Sequence, residues 1–311
     1  MRQTTVSDTA QRRTGLALAG VAACVSGVAV FVNGYGVRRW PDATVYTTAK
    51  NLVAAAVLVA AFAVARQVRP RETPAARPLH RPAAYLTVAV IGGSVPFVCF
   101  FEGLARASST DAAFVHKLLV VFVALLAVPF LHERVGGMQV AAIALLVGGQ
   151  AALTGGLPEL APGSGETMIL AATVLWSIEV IVAKRFLTDV PPLPLAVARL
   201  AGGVALLLAW LLVRGDLGVL TSAPAGAWAW AAATGAILGV YAITWYSALA
   251  RARAVDVTSV LVVGALITAV LDTGVRGVPA PDPLAVVLLL AGVSLVVAAS
   301  VGRRTGAVAA A

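Results

Sequence analysis

Ten apolar runs of membrane-crossing length dominate this chain, at roughly 15–35, 44–65, 83–104, 112–131, 137–155, 168–187, 194–213, 227–249, 257–273 and 284–301. A helix of about 20 residues spans a hydrocarbon core of about 30 Å. No water inside that core satisfies backbone N–H and C=O groups, so the runs must close their hydrogen bonds within themselves, as helices. The expected fold class is therefore an all-α integral membrane protein. Composition agrees, with 60% hydrophobic and 12% charged residues against about 25% charged in soluble domains. Cys24 and Cys99 both fall inside apolar runs, where packing is the expected role rather than a disulfide or a metal site.

The 23 Lys and Arg exceed the 14 Asp and Glu. In a membrane protein this excess is first a topology signal, not a nucleic-acid footprint. With the N-terminus in the cytoplasm, the inner segments hold Arg2, Arg12, Arg13, Arg66, Arg69, Arg71, Arg77, Arg81, Arg134, Lys184, Arg185, Arg251, Arg253, Arg303 and Arg304. The outer segments hold only Arg38, Arg39, Arg106, Arg214 and Arg276. The three-to-one bias predicts ten spans in the cell membrane with both termini cytoplasmic. Residues Met1–Thr14 carry three arginines and no small-residue cleavage site, so no cleaved signal peptide is expected.

The stretch Gly155–Gly165, rich in glycine and proline and free of Lys and Arg, punctuates the chain near its middle. It separates a first repeat, 1–155, from a second, 167–302, with a linker at 156–166 and a cytoplasmic tail at 303–311. Leu104-Ala105-Arg106-Ala107 with Asp111 matches Leu249-Ala250-Arg251-Ala252 with Asp256 at an offset of 145, five identities in nine positions. Five spans per copy is an odd number, so the second copy enters the membrane upside down. Two inverted five-helix repeats are a recurring plan for secondary transporters.

Ionisable residues inside spans are expensive, about 2.5–3.5 kcal/mol each near a helix centre. Lys50, Lys117 and Arg199 therefore need partners, water or a function. Counted from the span ends at about 1.5 Å per residue, Lys50 and Lys117 share one depth, and Arg199 aligns with Lys50 at an offset of 149. Glu102, at the outer end of the third span, is the nearest candidate counter-ion for either lysine. Glu179 falls near the midplane without an acidic neighbour, which suits a proton-coupled step. His116 and Lys117 are adjacent, so at least one should point into the bundle, and Trp176 lies one turn from Glu179. The expected substrate-binding set is Lys50, Glu102, His116, Lys117, Trp176, Glu179 and Arg199. Asn33 and Asn51 read as helix-to-helix hydrogen-bond partners. Trp40, Trp210, Trp228 and Trp230 read as interfacial anchors.

Residues 99–150 resemble the EamA branch of the drug/metabolite transporter superfamily. The likeness is carried by the Gly-Leu-Ala turn after the third span, by Pro129-Phe130-Leu131-His132-Glu133-Arg134 closing the fourth, and by the Gln-led fifth span from Gln139 to Gln150. It continues more weakly through 168–213 and 241–300. The resemblance implies ten spans in two inverted repeats and transport, commonly export, of small metabolites or drug-like molecules. This chain departs from the pattern in carrying His116-Lys117 where many members have a small residue before Glu-Pro or Ser-Pro. Its second copy has Arg276-Gly277-Val278-Pro279 in place of the Glu-Arg ending.

No enzyme motif and no nucleotide-binding domain are evident, so no cofactor or metal is expected and any transport is gradient-driven or facilitated. The charges in the expected site lean towards an anionic or zwitterionic solute such as an amino acid, with a proton as candidate coupling ion. The partners are then a small molecule and the lipid bilayer, not nucleic acid; the oligomeric state stays open, a homodimer included. Two other readings stand beside this one. A translocator of lipid or a lipid carrier would turn Lys50 and Lys117 to a headgroup, and a non-transporting scaffold would have no cavity at all.

Overall fold

The computed structural model describes residues 2–68, 82–104, 106–107, 114–156 and 163–302. Arg69, Arg71, Arg77, His80, Arg81, Asp111, Arg303, Arg304 and the middle of the linker, 157–162, lie outside the described residues. Among the described residues the secondary structure is helical, without strands. Nine helices among the described residues are long and apolar enough to cross a membrane: α1 Thr9–Arg39, α2 Ala43–Val68, α3 Pro82–Leu104, α4 Phe114–Leu131, α6 Ser164–Phe186, α7 Pro192–Arg214, α8 Ala225–Arg251, α9 Ala254–Arg276 and α10 Pro283–Ser300. Between α4 and α5, His132–Gly136 make a short turn, and α5, Gly137–Leu153, is apolar but only 17 residues long.

Local chemistry sets the helix ends. The Asp42 carboxylate accepts the Val45 N–H at 2.8 Å, capping α2. Glu166 sits in the first turn of α6, and Lys184 and Arg185 in its last, each complementing the helix dipole. α4 ends on His132 in the left-handed conformation, φ 55°, and α9 ends on Gly277, φ 67°. These two residues are 145 apart, the offset of the repeat. The second copy has lost the Glu-Arg signature but keeps the left-handed turn that the signature follows.

Packing repeats as well. α1 lies against α8 and α9, while α6, its counterpart, lies against α3 and α4. α2 lies against α8 and α7 against α3, and α5 pairs with α10. Exchanging the halves maps this pattern onto itself, so each half completes its core with the other. Both α4 and α9 are interrupted at matching places, α4 at Leu118 and α9 at Val262-Val263.

The two central crossings need glycine. A Cβ on Gly93 in α3 would collide with the Arg199 carbonyl of α7, and one on Gly235 in α8 would meet the Lys50 carbonyl of α2 at 2.5 Å. Association in lipid relies on close van der Waals packing, which small residues permit. Both crossings therefore bring a cation-bearing helix of one half against the other half's third helix.

Three local expectations change. Trp40 is buried, its indole donating to the Ala227 carbonyl at 3.2 Å and its ring set edge-on to Trp228, so it packs helices rather than anchoring a headgroup layer. Cys24 is exposed on the outer face of α1, not packed. Asn33 does join helices, its Oδ1 accepting from the Tyr46 hydroxyl at 2.6 Å, whereas Asn51 is fully buried with neither side-chain polar atom bonded.

At the α3–α7 crossing, Gly93→Ala is expected to destabilise by the upper part of ~1–3 kcal/mol, because the obstructing atoms are backbone. Gly20→Ala, which faces open space on α1, should stay within about 0.5 kcal/mol of the parent. Thermal unfolding of the two variants in detergent measures the difference.

Candidate functional site

A cavity of about 180 Å³ lies between the two halves. Helices α1 to α4 and α6 to α9 all contribute to its wall, and α5 and α10 do not. Lys50, His116, Lys117, Trp176, Glu179 and Arg199 line it together, six of the seven residues singled out in the sequence. His116 and Lys117 both line it, on the last helical residues before the interruption of α4 at Leu118.

Arg199 is positioned by irregular backbone. It lies in a π-helical turn of α7, Ala198–Gly202, against a second such turn in α3, Ala89–Ser94. A π turn disturbs the regular i to i−4 ladder and leaves a carbonyl available. Here the Gly92 carbonyl accepts from Arg199 Nε at 3.2 Å and from the Trp176 indole at 3.2 Å. The absent side chain of Gly92 matters too, since a Cβ there would meet Glu179 Cγ at 2.7 Å.

Glu179, 1% exposed, lies 3.9 Å from Arg199 Nη1 and accepts a hydrogen bond from the Tyr246 hydroxyl on α8. It is therefore not the isolated carboxylate that its sequence neighbourhood suggests. The partner is 20 residues away on α7, at the same depth. Tyr246 and Tyr241 are the residues that sequence reasoning passed over; the only signal for them was a polar hydroxyl inside an apolar run.

Lys50 is held differently. Its ammonium lies 4.7 Å from the Phe101 ring centroid and 5.5 Å from that of Tyr46, with Asn33 Oδ1 at 3.4 Å. Such cation–π contacts partly offset desolvation. Phe97 continues this aromatic wall to Trp176, ring centroids 5.3 Å apart, and Trp176 continues it to His116, 5.2 Å away.

Glu102 departs from the expected set. Its carboxylate takes Arg214 Nη1 at 3.0 Å, Arg106 Nη2 at 3.1 Å and the Thr44 hydroxyl at 3.0 Å, outside the cavity at the end where Asp42 also pairs with Arg214. Two external arginines satisfy it, so it is not the counter-ion of either lysine. Among the described residues, three cations and one carboxylate line the cavity.

At the opposite end Glu133 ties the α4–α5 turn to α9. Its two oxygens accept the Ala254 and Val255 N–H groups at 2.7 and 3.2 Å, the unsatisfied donors of a helix start. Arg253 Nε stands 3.6 Å away. Lys184 donates to the Leu249 and Ala252 carbonyls at 2.5 and 2.7 Å, closing the end of α8. The fully buried Asp256 accepts from Gln139 at 2.9 Å and from Ser300 at 3.0 Å. The repeated motif Leu-Ala-Arg-Ala…Asp thus builds the junction of α8 and α9 and its seal against α5 and α10.

The family model described as the EamA-like transporter family matches the chain twice, over residues 13–155 and 163–298. Among curated proteins, none matches the chain. A solved crystal structure described only as that of a protein superposes with a TM-score of 0.70 at 19% identity, covering 91% of this chain and 98% of its own. That likeness establishes a shared fold.

Removing one member of a buried ion pair strands the other, at about 3–5 kcal/mol. Arg199→Met should be destabilised by that amount, and adding Glu179→Gln to it should recover most of the loss. Tyr246→Phe should cost about 1–3 kcal/mol by taking a donor from a buried carboxylate. Thermal unfolding in detergent reads all three; a double variant no more stable than Arg199→Met would show that charge balance is not what Arg199 supplies.

Proposed function

The chain belongs to the EamA-like transporter family, and on that premise we propose that it is a secondary-active carrier of small organic metabolites. The observation that carries the reading is the cavity between the halves, with its two symmetry-related cations, Lys50 and Arg199, each on a helix crossing the opposite repeat. In this reading α1 to α10 all span the membrane, the short α5 included. Residues 1–155 and 167–302 form the two inverted units, and both termini lie in the cytoplasm, as the basic residues favour.

Transport proceeds by alternating access, the two units rocking about the central site. The ionic cluster centred on Arg214 ties α2, α3 and α7 at one end, and the Glu133 network ties α4 to α9 at the other. Opening either end requires its network to separate while the other holds. Glu133 and Arg214 are, on this account, the closures of the two mouths. The solute binds against Lys50, His116, Lys117, Trp176, Glu179 and Arg199. Export into the medium across the cell membrane is the direction that the family resemblance favours.

Among the described residues Glu179 is the one carboxylate of the wall, which makes it the place where a coupling proton is carried in this reading, with Arg199 and Tyr246 holding its carboxylate form between cycles. The cavity weighs against the scaffold reading, which expected none. The position of Lys50 in the interior, with Lys117 on the same cavity wall, weighs against a headgroup site for lipid.

The test is flux in proteoliposomes, with radiolabelled amino acids, small organic acids and a cationic dye, with and without an imposed proton gradient. Gradient-driven flux of at least one solute is expected, falling by about tenfold or more in Glu179→Gln, the usual scale of loss for an essential proton-transfer group. Gradient-driven flux untouched by the variant would remove Glu179 from coupling. No flux of any solute would overturn the carrier reading.

A further inference from the structure

The charges of the cavity narrow the solute further, an inference that rests on the carrier reading only in taking this cavity as the solute site. Among the described residues its one carboxylate, Glu179, is already engaged by Arg199 and Tyr246. That leaves Lys50 and Lys117. Among the described residues, no acidic side chain lies within ion-pair distance of either. Among those residues Lys50, 5% exposed, meets the amide oxygen of Asn33 and aromatic faces, and beside Lys117 the buried Nδ1 of His116 has no hydrogen-bond partner. Uncompensated ammonium groups inside a bilayer are costly unless an anion or water meets them.

The acceptors of the wall are equally telling. An amino acid brings an ammonium group with three N–H donors. The Asn33 oxygen already receives Tyr46 and Lys50, and the Gly92 carbonyl already receives Arg199 and Trp176. A ligand ammonium would enter beside two cations and find its natural partner, Glu179, taken. Like-charge juxtaposition selects against such a ligand.

We propose that the solute is an organic carboxylate without an ammonium group, its acid received by Lys50 and Lys117 and its apolar body lying on the wall formed by Phe97 and Trp176. This departs from the amino acid suggested by the sequence. There Glu102 counted as a second cavity carboxylate; its pairing with Arg214 and Arg106 removes it.

Three probes with one aromatic body and different charge decide the matter: 3-phenylpropionate, phenylalanine and phenethylamine. Binding is measured by isothermal titration calorimetry of the full chain in lipid nanodiscs, with empty nanodiscs as blank. The expected result is that 3-phenylpropionate binds about tenfold or more tighter than phenylalanine, and that phenethylamine gives no signal above the blank. Lys50→Met and Lys117→Met should each weaken the anion by about tenfold or more, and Lys117→Arg should restore part of the loss. Unfolding curves establish that the variants are folded.

Phenylalanine binding as tightly as the anion would overturn the proposal. So would binding of phenethylamine, absence of anion binding in the millimolar range, or anion affinity unchanged in both methionine variants. Failure of the carrier reading looks different. Anion binding that depends on the lysines, without counterflow of 3-phenylpropionate in proteoliposomes, would overturn transport and leave the anion site standing. Amino-acid flux together with tighter binding of phenylalanine would do the reverse.

Discussion

A guanidinium buried in a bilayer must be met by the protein, and the way Arg199 is met accounts for much of the architecture. Its counter-charge comes from α6, its hydrogen-bond acceptor from α3 and the hydroxyl that completes the carboxylate from α8. Three helices are drawn to one point. The Gly92 carbonyl is available there because α3 runs through a π turn, and the approach is close because Gly92, Gly93 and Gly203 carry no side chain. Irregular backbone is tolerated at membrane depth where it is buried in protein or lines a cavity; here the α3 turn is packed in protein and the α7 turn brings Arg199 to the cavity.

The same requirement separates the two kinds of cation. Arg199 is neutralised by the fold itself, in a pair whose net worth is modest because desolvation opposes attraction. Lys50 sits at the related position in the other half, but aromatic rings and an amide replace the carboxylate. The pseudo-symmetry of the backbone is therefore broken in the chemistry of its side chains: one half is internally balanced and the other is left open. A site with unspent charge on one side and apolar aromatic surface between is suited to recognising a solute with an acidic head and an apolar body.

The two ends follow a different logic. Around Arg214 the ion pairs are partly exposed, so each is individually weak. Around Glu133 the carboxylate instead satisfies backbone donors at a helix start, which water must replace whenever the contact opens. Both kinds of contact can be exchanged for solvent at modest free-energy cost. Neither demands the rearrangement of a packed core.

Much of this was legible in the chain before folding. The helical class, the near-boundaries of the apolar runs and the repeat follow from hydropathy and from one short internal match, because lipid leaves the backbone few alternatives. The intramembrane position of Lys50, Lys117, Glu179 and Arg199 was visible for the same reason: a charge in an apolar run stands out. Pairing was not. Glu179 meets Arg199 across two helices, Tyr246 enters from a third, and Glu102 turns to Arg214 more than 100 residues away; depth along a span is one-dimensional, whereas the face a helix presents depends on its neighbours. The sequence by itself determined which ionisable groups would lie inside apolar helices. Only the tertiary structure decided which of them neutralise one another and which stay free for a ligand, because that depends on helix rotation and on glycine-permitted contacts between segments far apart in the chain.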